Sequence, residues 1–119
     1  MAVVRAVLGT WGEDLAVRHL EAAGYEVLSR NWRCREGEID VVARAGSVIC
    51  FVEVKTRSGT AFGEPAEAVS WQKANRIRKL AGRWLAVHRP PGWSDLRFDV
   101  VAVVRAPEGP RVTHLEGAF

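Results

Sequence analysis

Five consecutive apolar residues, Val100-Val101-Ala102-Val103-Val104, constrain this chain more than any other feature. A strand with one wet face alternates apolar and polar side chains, whereas an unbroken apolar run fits a strand covered on both faces. A chain of 119 residues can supply those covers as helices on either side of one sheet. Two helices are legible. Thr10-Trp11-Gly12-Glu13 has the pattern of a capping box, and Leu15, His19, Leu20 and Ala23 follow at helical spacing until Gly24 offers a stop. Ser70 can cap a second helix over residues 71–88, with Ile77, Leu80, Ala81, Trp84 and Leu85 as its apolar stripe and Pro90-Pro91-Gly92 ending it. Strand-like segments cover residues 25–32, 38–44, 47–56 and 96–105, with a short edge strand at 112–115. Ala45-Gly46 reads as a tight hairpin turn, residues 33–37 as a polar connection and residues 58–65 as a Gly-rich loop. The expected order is α-β-β-β-α-β-β in one α/β domain over residues 1–119, a mixed β-sheet flanked by helices.

Composition excludes several classes. With 48% hydrophobic and 26% charged residues, the chain is neither disordered, collagenous nor membrane-embedded. No apolar run approaches the ~20 residues of a spanning helix, and residues 1–8 lack a long apolar segment with a cleavage site, so a cytoplasmic protein is expected. Cys34 and Cys50 form no CxxC or Cys/His cluster, so any metal must bind through oxygen. The net charge of +3 conceals a segregation: residues 1–69 hold 8 Lys+Arg against 10 Asp+Glu, and residues 70–119 hold 9 against 4. A basic half suits a polyanion, and an acidic cluster in the other half suits a divalent cation.

Asp40 and Glu53 stand inside strongly apolar strands, where carboxylates are depleted. A turn at Ala45-Gly46 sets Arg44 opposite Ser47 and Asp40 opposite Phe51, which puts Asp40, Glu53 and Lys55 on one sheet face. The same register sets Glu38 opposite Glu53. Two carboxylates about 5 Å apart repel by roughly 3 kcal/mol at an effective dielectric near 20, so a compensating charge is needed. Magnesium supplies it naturally, being a hard ion held by one or two carboxylates plus water and phosphate; Lys55 supplies part of it. Lysine is rare here, 3 residues against 14 arginines, and a compact ammonium can touch both a phosphate and an attacking water.

Asp40 followed 13 residues later by Glu53-Val54-Lys55 resembles the core of the PD-(D/E)XK nuclease superfamily. The wider set of Gly12-Glu13, Gly24-Tyr25, Arg30-Asn31, Gly37-Glu38-Ile39-Asp40, Phe51 to Arg57, Phe62-Gly63 and Arg97-Phe98-Asp99-Val100 resembles the bacterial YraN family. That family is regarded as predicted endonucleases distantly similar to archaeal Holliday-junction resolvases. The resemblance implies a restriction-endonuclease-like fold, with Asp40 and Glu53 as ligands of Mg²⁺ or Mn²⁺ and the Val54 carbonyl as a third oxygen. It implies Lys55 as the motif lysine, Glu13 as an acid reaching the metal through water, and Gln72 or Lys73 as the superfamily's further polar position. Ile39 stands where the superfamily name has Pro.

On the second helix Lys73, Arg76, Lys79 and Arg83 fall within about a third of the circumference, a basic ridge suited to the DNA backbone. Trp84 belongs to the apolar stripe; Trp11, Trp32, Trp71 and Trp93 are left open between core and base stacking. His19, His88 and His114 share no motif with the acids, and Asp99 is left open as an anchor for Arg97 or for the loop beside the site. The expected activity is a metal-dependent phosphodiesterase acting on DNA, branched DNA included, with no organic cofactor, no membrane and, by analogy with resolvases, a homodimer. The alternatives are a nucleic-acid-binding accessory protein that keeps the fold without cleavage, and a protein-interaction module with a structural ion-pair cluster.

Overall fold

The structure, a computed structural model, describes residues 2–58 and 69–119, with side chains from residue 9 onward. Among these residues the elements run α1 (Ala2–Ala22), β1 (Glu26–Cys34), β2 (Gly37–Ala45), β3 (Val48–Ser58), α2 (Trp71–His88), β4 (Asp95–Ala106) and β5 (Gly109–Leu115). This is the mixed α/β order expected from the sequence. The strands form one five-stranded sheet in the order β1-β2-β3-β4-β5, in which β3 and β4 are parallel and the other neighbours antiparallel. A parallel pair requires a crossover rather than a hairpin, and α2 lies in it.

The valine run lies where its pattern demands. Val100, Val101, Ala102 and Val103 are buried, and the two faces of the sheet carry separate cores. Ala16, Val17 and Leu20 of α1 pack on Val41, Ala43, Cys50, Val52, Val101 and Val103. Ile77, Leu80, Ala81 and Trp84 of α2 pack on Val42, Ile49 and Phe51. The period of two along β3 is therefore used on both sides: Cys50 and Val52 face one helix, Ile49 and Phe51 the other. Trp84 is core, edge-to-face with Phe51, and its indole N–H donates to Ser29 Oγ at 2.9 Å. Ser70 caps α2 by accepting from the Lys73 N–H at 3.1 Å; at the other end Arg89 turns left-handed before Pro90. No helix among the described residues is long and apolar enough to cross a membrane.

Three expectations need correction. Helix α1 starts at Ala2, so the Thr10-to-Glu13 capping pattern lies in its interior; capping residues mark a start only when the preceding chain is not helical, and residues 2–8 contain no Pro or Gly. The β2–β3 turn is Gly46-Ser47, with Ala45 paired to Val48. Tight hairpins need a positive φ at the first turn residue, which Gly46 adopts at 60° and Ala45 would resist. Phe51 therefore pairs with Val42, not Asp40, and Glu38 stands across from Arg33 of β1 rather than opposite Glu53. The displacement is two residues, so every side chain keeps its expected face. Of the expected loop at residues 58–65, Ser58 belongs to β3 and residues 59–65 lie outside the described residues, as does Phe62-Gly63.

Gly12 fixes how closely α1 approaches the sheet. A Cβ there would stand 2.0 Å from Thr56 Oγ1 and 2.9 Å from its Cγ2. Threonine is stiff about χ1 and cannot swing away freely. Helix propensity alone favours Gly→Ala by about 1 kcal/mol, but Gly12→Ala should instead destabilise by about 1–3 kcal/mol through overpacking. Thr56→Ala should restore part of that loss, and a denaturant-unfolding double-mutant cycle measures the coupling.

Candidate carboxylate and lysine site

The ladder between β2 and β3 ends at Val41 and Val52, while β3 continues to Ser58. The next residues outward are Asp40 and Glu53. Past the last rung the Val54 N–H has no β2 carbonyl to meet, and Asp40 Oδ2 accepts it at 2.9 Å. The N–H and C=O of an extended residue point to the same side of the strand, so the Val54 carbonyl faces the same gap. A cavity of about 480 Å³ opens there, lined in part by Glu13, Arg30, Asn31, Asp40, Val54 and Thr56.

Burial, and then the charge of Glu53, push the Asp40 carboxyl up to about 7; Glu38 and Glu13 act in the same direction, and the Val54 N–H opposes them. Glu53 is 6% exposed and takes the two lysines. Lys73 Nζ lies 2.5 Å and Lys55 Nζ 3.5 Å from its Oε1. Burial, with the neighbouring Lys73 ammonium, draws the Lys55 amine below its ordinary value. Burial acts the same way on Lys73, but its contact with Glu53 outweighs it and the net shift is upward. One carboxylate thus holds two cations while its neighbour is left short of positive charge.

Glu13 arrives from α1, one turn before the buried Ala16 and Val17, and accepts from Asn31 Nδ2 at 2.7 Å and Arg30 Nη2 at 3.1 Å. Asn31 holds a left-handed φ of 50°, a conformation asparagine tolerates better than most residues. Arg30 also reaches Asp14 at 2.6 Å. Glu13 and Asp40 share the cavity; Glu53, Lys55 and Lys73 form the adjoining cluster toward α2 and are not in that lining. Arg30 and Asn31, quoted in the sequence only as part of a family pattern, are thus parts of the site wall. Among the described residues no three His, Cys, Asp or Glu side chains form a group able to hold a metal; the available oxygens are the two carboxylates and the Val54 carbonyl.

The basic ridge divides. Lys73 turns inward to Glu53, and Arg83 pairs with Glu36 at 2.9 Å, while Gln72, Arg76 and Lys79 are exposed. Asp99 serves a different cluster. Fully buried, it accepts from Arg97 Nε at 2.9 Å and the Gly117 N–H at 2.9 Å, and its Oδ2 lies 2.7 Å from His114 Nε2. Burial works against its charge, yet Arg97, Gly117 and His114 together hold its carboxyl below the usual range. Tyr25 joins through a 2.6 Å bond from Arg97. Arg97 is two residues away in the same strand, but Gly117, His114 and Tyr25 come from distant parts of the chain, which no local pattern announces.

The family model described as Uncharacterised protein family UPF0102 matches residues 12–103. The chain belongs to this family. A UPF0102 protein of Frankia alni is 62% identical over 113 residues, covering 94% of this chain and 93% of the relative. One from Frankia casuarinae is 59% identical, covering 94% and 95%; one from Acidothermus cellulolyticus is 46% identical, covering 99% and 97%. The UPF0102 match takes in Glu13, Asp40, Glu53, Lys55, Lys73 and Asp99.

Because Asp40 binds its proton more tightly folded than unfolded, its contribution to stability declines as pH rises from about 4 through about 7. Asp40→Asn cannot ionise, and its Oδ1 can still accept from Val54. In buffers free of divalent ions the variant should exceed wild type by on the order of 2 kcal/mol at pH 8, with the advantage shrinking toward pH 4. Thermal melts across that range give the check; a variant less stable than wild type at pH 8 would contradict the assigned repulsion.

Proposed function

We propose that this UPF0102 protein is a metal-dependent phosphodiesterase that cuts DNA, branched DNA included. The observation carrying the proposal is the pairing of Asp40 and Glu53 beyond the last β2–β3 rung, with Asp40 raised toward neutrality and Lys55 and Lys73 at Glu53. Such a pair fits a hard divalent cation: its oxygens are of the right type, and the Asp40 charge that burial and Glu53 disfavour is what a cation would stabilise. Asp40, Glu53 and the Val54 carbonyl would hold Mg²⁺ or Mn²⁺, with Glu13 reaching it through water. When bound, the ion supplies Lewis-acid stabilisation of phosphoryl charge.

The chain's own groups do the rest. Lys73 holds the Glu53 carboxylate in place through its ion pair, and Lys55 Nζ orients the attacking water while stabilising charge that develops on the phosphate oxygens. Arg76 and Lys79, exposed on α2, hold the DNA backbone, and Arg83 joins them by exchanging Glu36 for phosphate. The resemblance of Asp40…Glu53-Val54-Lys55 to the PD-(D/E)XK core supports the same chemistry. A binding protein without cleavage is the second reading, favoured by one feature: two ammonium groups already satisfy Glu53.

Linear, flapped and four-way-junction DNA with Mg²⁺, Mn²⁺ or EDTA separates these readings, since cleavage that EDTA abolishes requires the first. Mg²⁺ should also raise the melting temperature of wild type at pH 8 and leave Asp40→Asn and Glu53→Gln unmoved. Lys55→Arg should keep melting and DNA affinity near wild type but slow single-turnover cleavage by ~100-fold, the scale of losing one transition-state donor; wild-type rates in that variant would remove Lys55 from the reaction. Cutting paired strands calls for two sites, so a homodimer accompanies this reading, and a monomer in sedimentation with junction DNA would count against it.

A further inference from the structure

Helix α2 has no acidic residue between Trp71 and His88. Its burial pattern turns Ala74, Ile77, Leu80, Ala81 and Trp84 to the sheet and leaves Gln72, Arg76, Lys79 and Arg83 on the outside with Trp71. Trp71 is 75% exposed, the most exposed large apolar side chain among the described residues. Single exposed apolar residues are ordinary on protein surfaces, but this one has a particular neighbourhood. Two residues further along the same helical turn Lys73 reaches Glu53, so the first turn of α2 carries an ammonium inward to the carboxylate pair and an indole on its solvent-facing side.

We infer that Trp71 is a stacking platform for an unpaired nucleobase adjoining the phosphate that enters the Glu53–Lys55–Lys73 cluster. This deepens the nuclease reading and rests on it. The basic residues of α2 attract any nucleic acid through its phosphates, without regard to strandedness. An aromatic face adds a different requirement: every base offers a π-face, but in an intact duplex both faces are covered by neighbouring bases. Only a flap, a single strand or the open centre of a junction presents one. The ring therefore selects substrate structure, and the helix charge supplies general affinity.

The test separates stacking from charge. Binding of a short fluorescent oligothymidylate and of an abasic oligonucleotide of equal length, which carries the same phosphates, is measured by anisotropy in EDTA over a salt series. Wild type should prefer the thymidylate by about 10-fold or more. Trp71→Ala should lose that preference while keeping its salt slope and melting temperature, and Trp71→Phe should retain most of it. Equal preference in wild type and Trp71→Ala, with both still binding, overturns the stacking role and leaves the nuclease reading standing. Failure of wild type to bind either oligonucleotide also overturns the stacking role, while the nuclease reading stands or falls on the cleavage panel.

Discussion

The hydrogen bond from the Val54 N–H to Asp40 Oδ2 organises one end of this molecule. β3 is bonded to parallel β4 along its whole length, but its ladder to β2 stops at Val41 and Val52. An unpaired peptide group at that point would be costly unless water or a side chain met it. Asp40 supplies the acceptor, and in doing so its carboxyl is drawn next to Glu53. The gap between the strands, the carboxylate pair and the carbonyl facing them thus have one cause.

That arrangement carries a cost the rest of the fold must absorb. Asp40 is pushed toward neutrality by burial and by Glu53, and Lys55 is pushed the same way, toward its uncharged amine, by burial and by Lys73. Asp99 has the opposite design, since a guanidinium, a backbone N–H and an imidazole surround it and its charge is favoured. Both acids sit in the sheet, yet one is fully compensated and the other is not. Uncompensated charge is what a structural ion pair avoids, and it is the feature on which the proposed cation site rests.

The two helices are equally unlike in how they reach the site. α1 comes close enough to present Glu13 because Gly12 leaves no Cβ against Thr56, and Arg30 and Asn31 then hold the carboxylate in place. α2 presents Lys73 from the other face of the sheet. The site therefore lies where β2 and β3 part, approached from both covering layers, and neither core alone contains it.

The element order and the common face of Asp40, Glu53 and Lys55 were legible in the amino-acid sequence. Those rest on local rules: the valine run, the apolar stripe of α2 and strand periodicity, which survives a register displaced by two residues. The sequence also marked Trp84 as core, because its spacing matched the stripe. Tertiary structure alone decided the rest. Where α1 starts depended on residues that no capping pattern covers; the turn at Gly46-Ser47, by contrast, follows a local rule, glycine at the positive-φ position. The inward turn of Lys73, the grip of Asn31 on Glu13 and the hold of His114 and Gly117 on Asp99 are contacts between distant segments. Helical or strand period says which face a residue occupies; only the packing of layers says what it meets there.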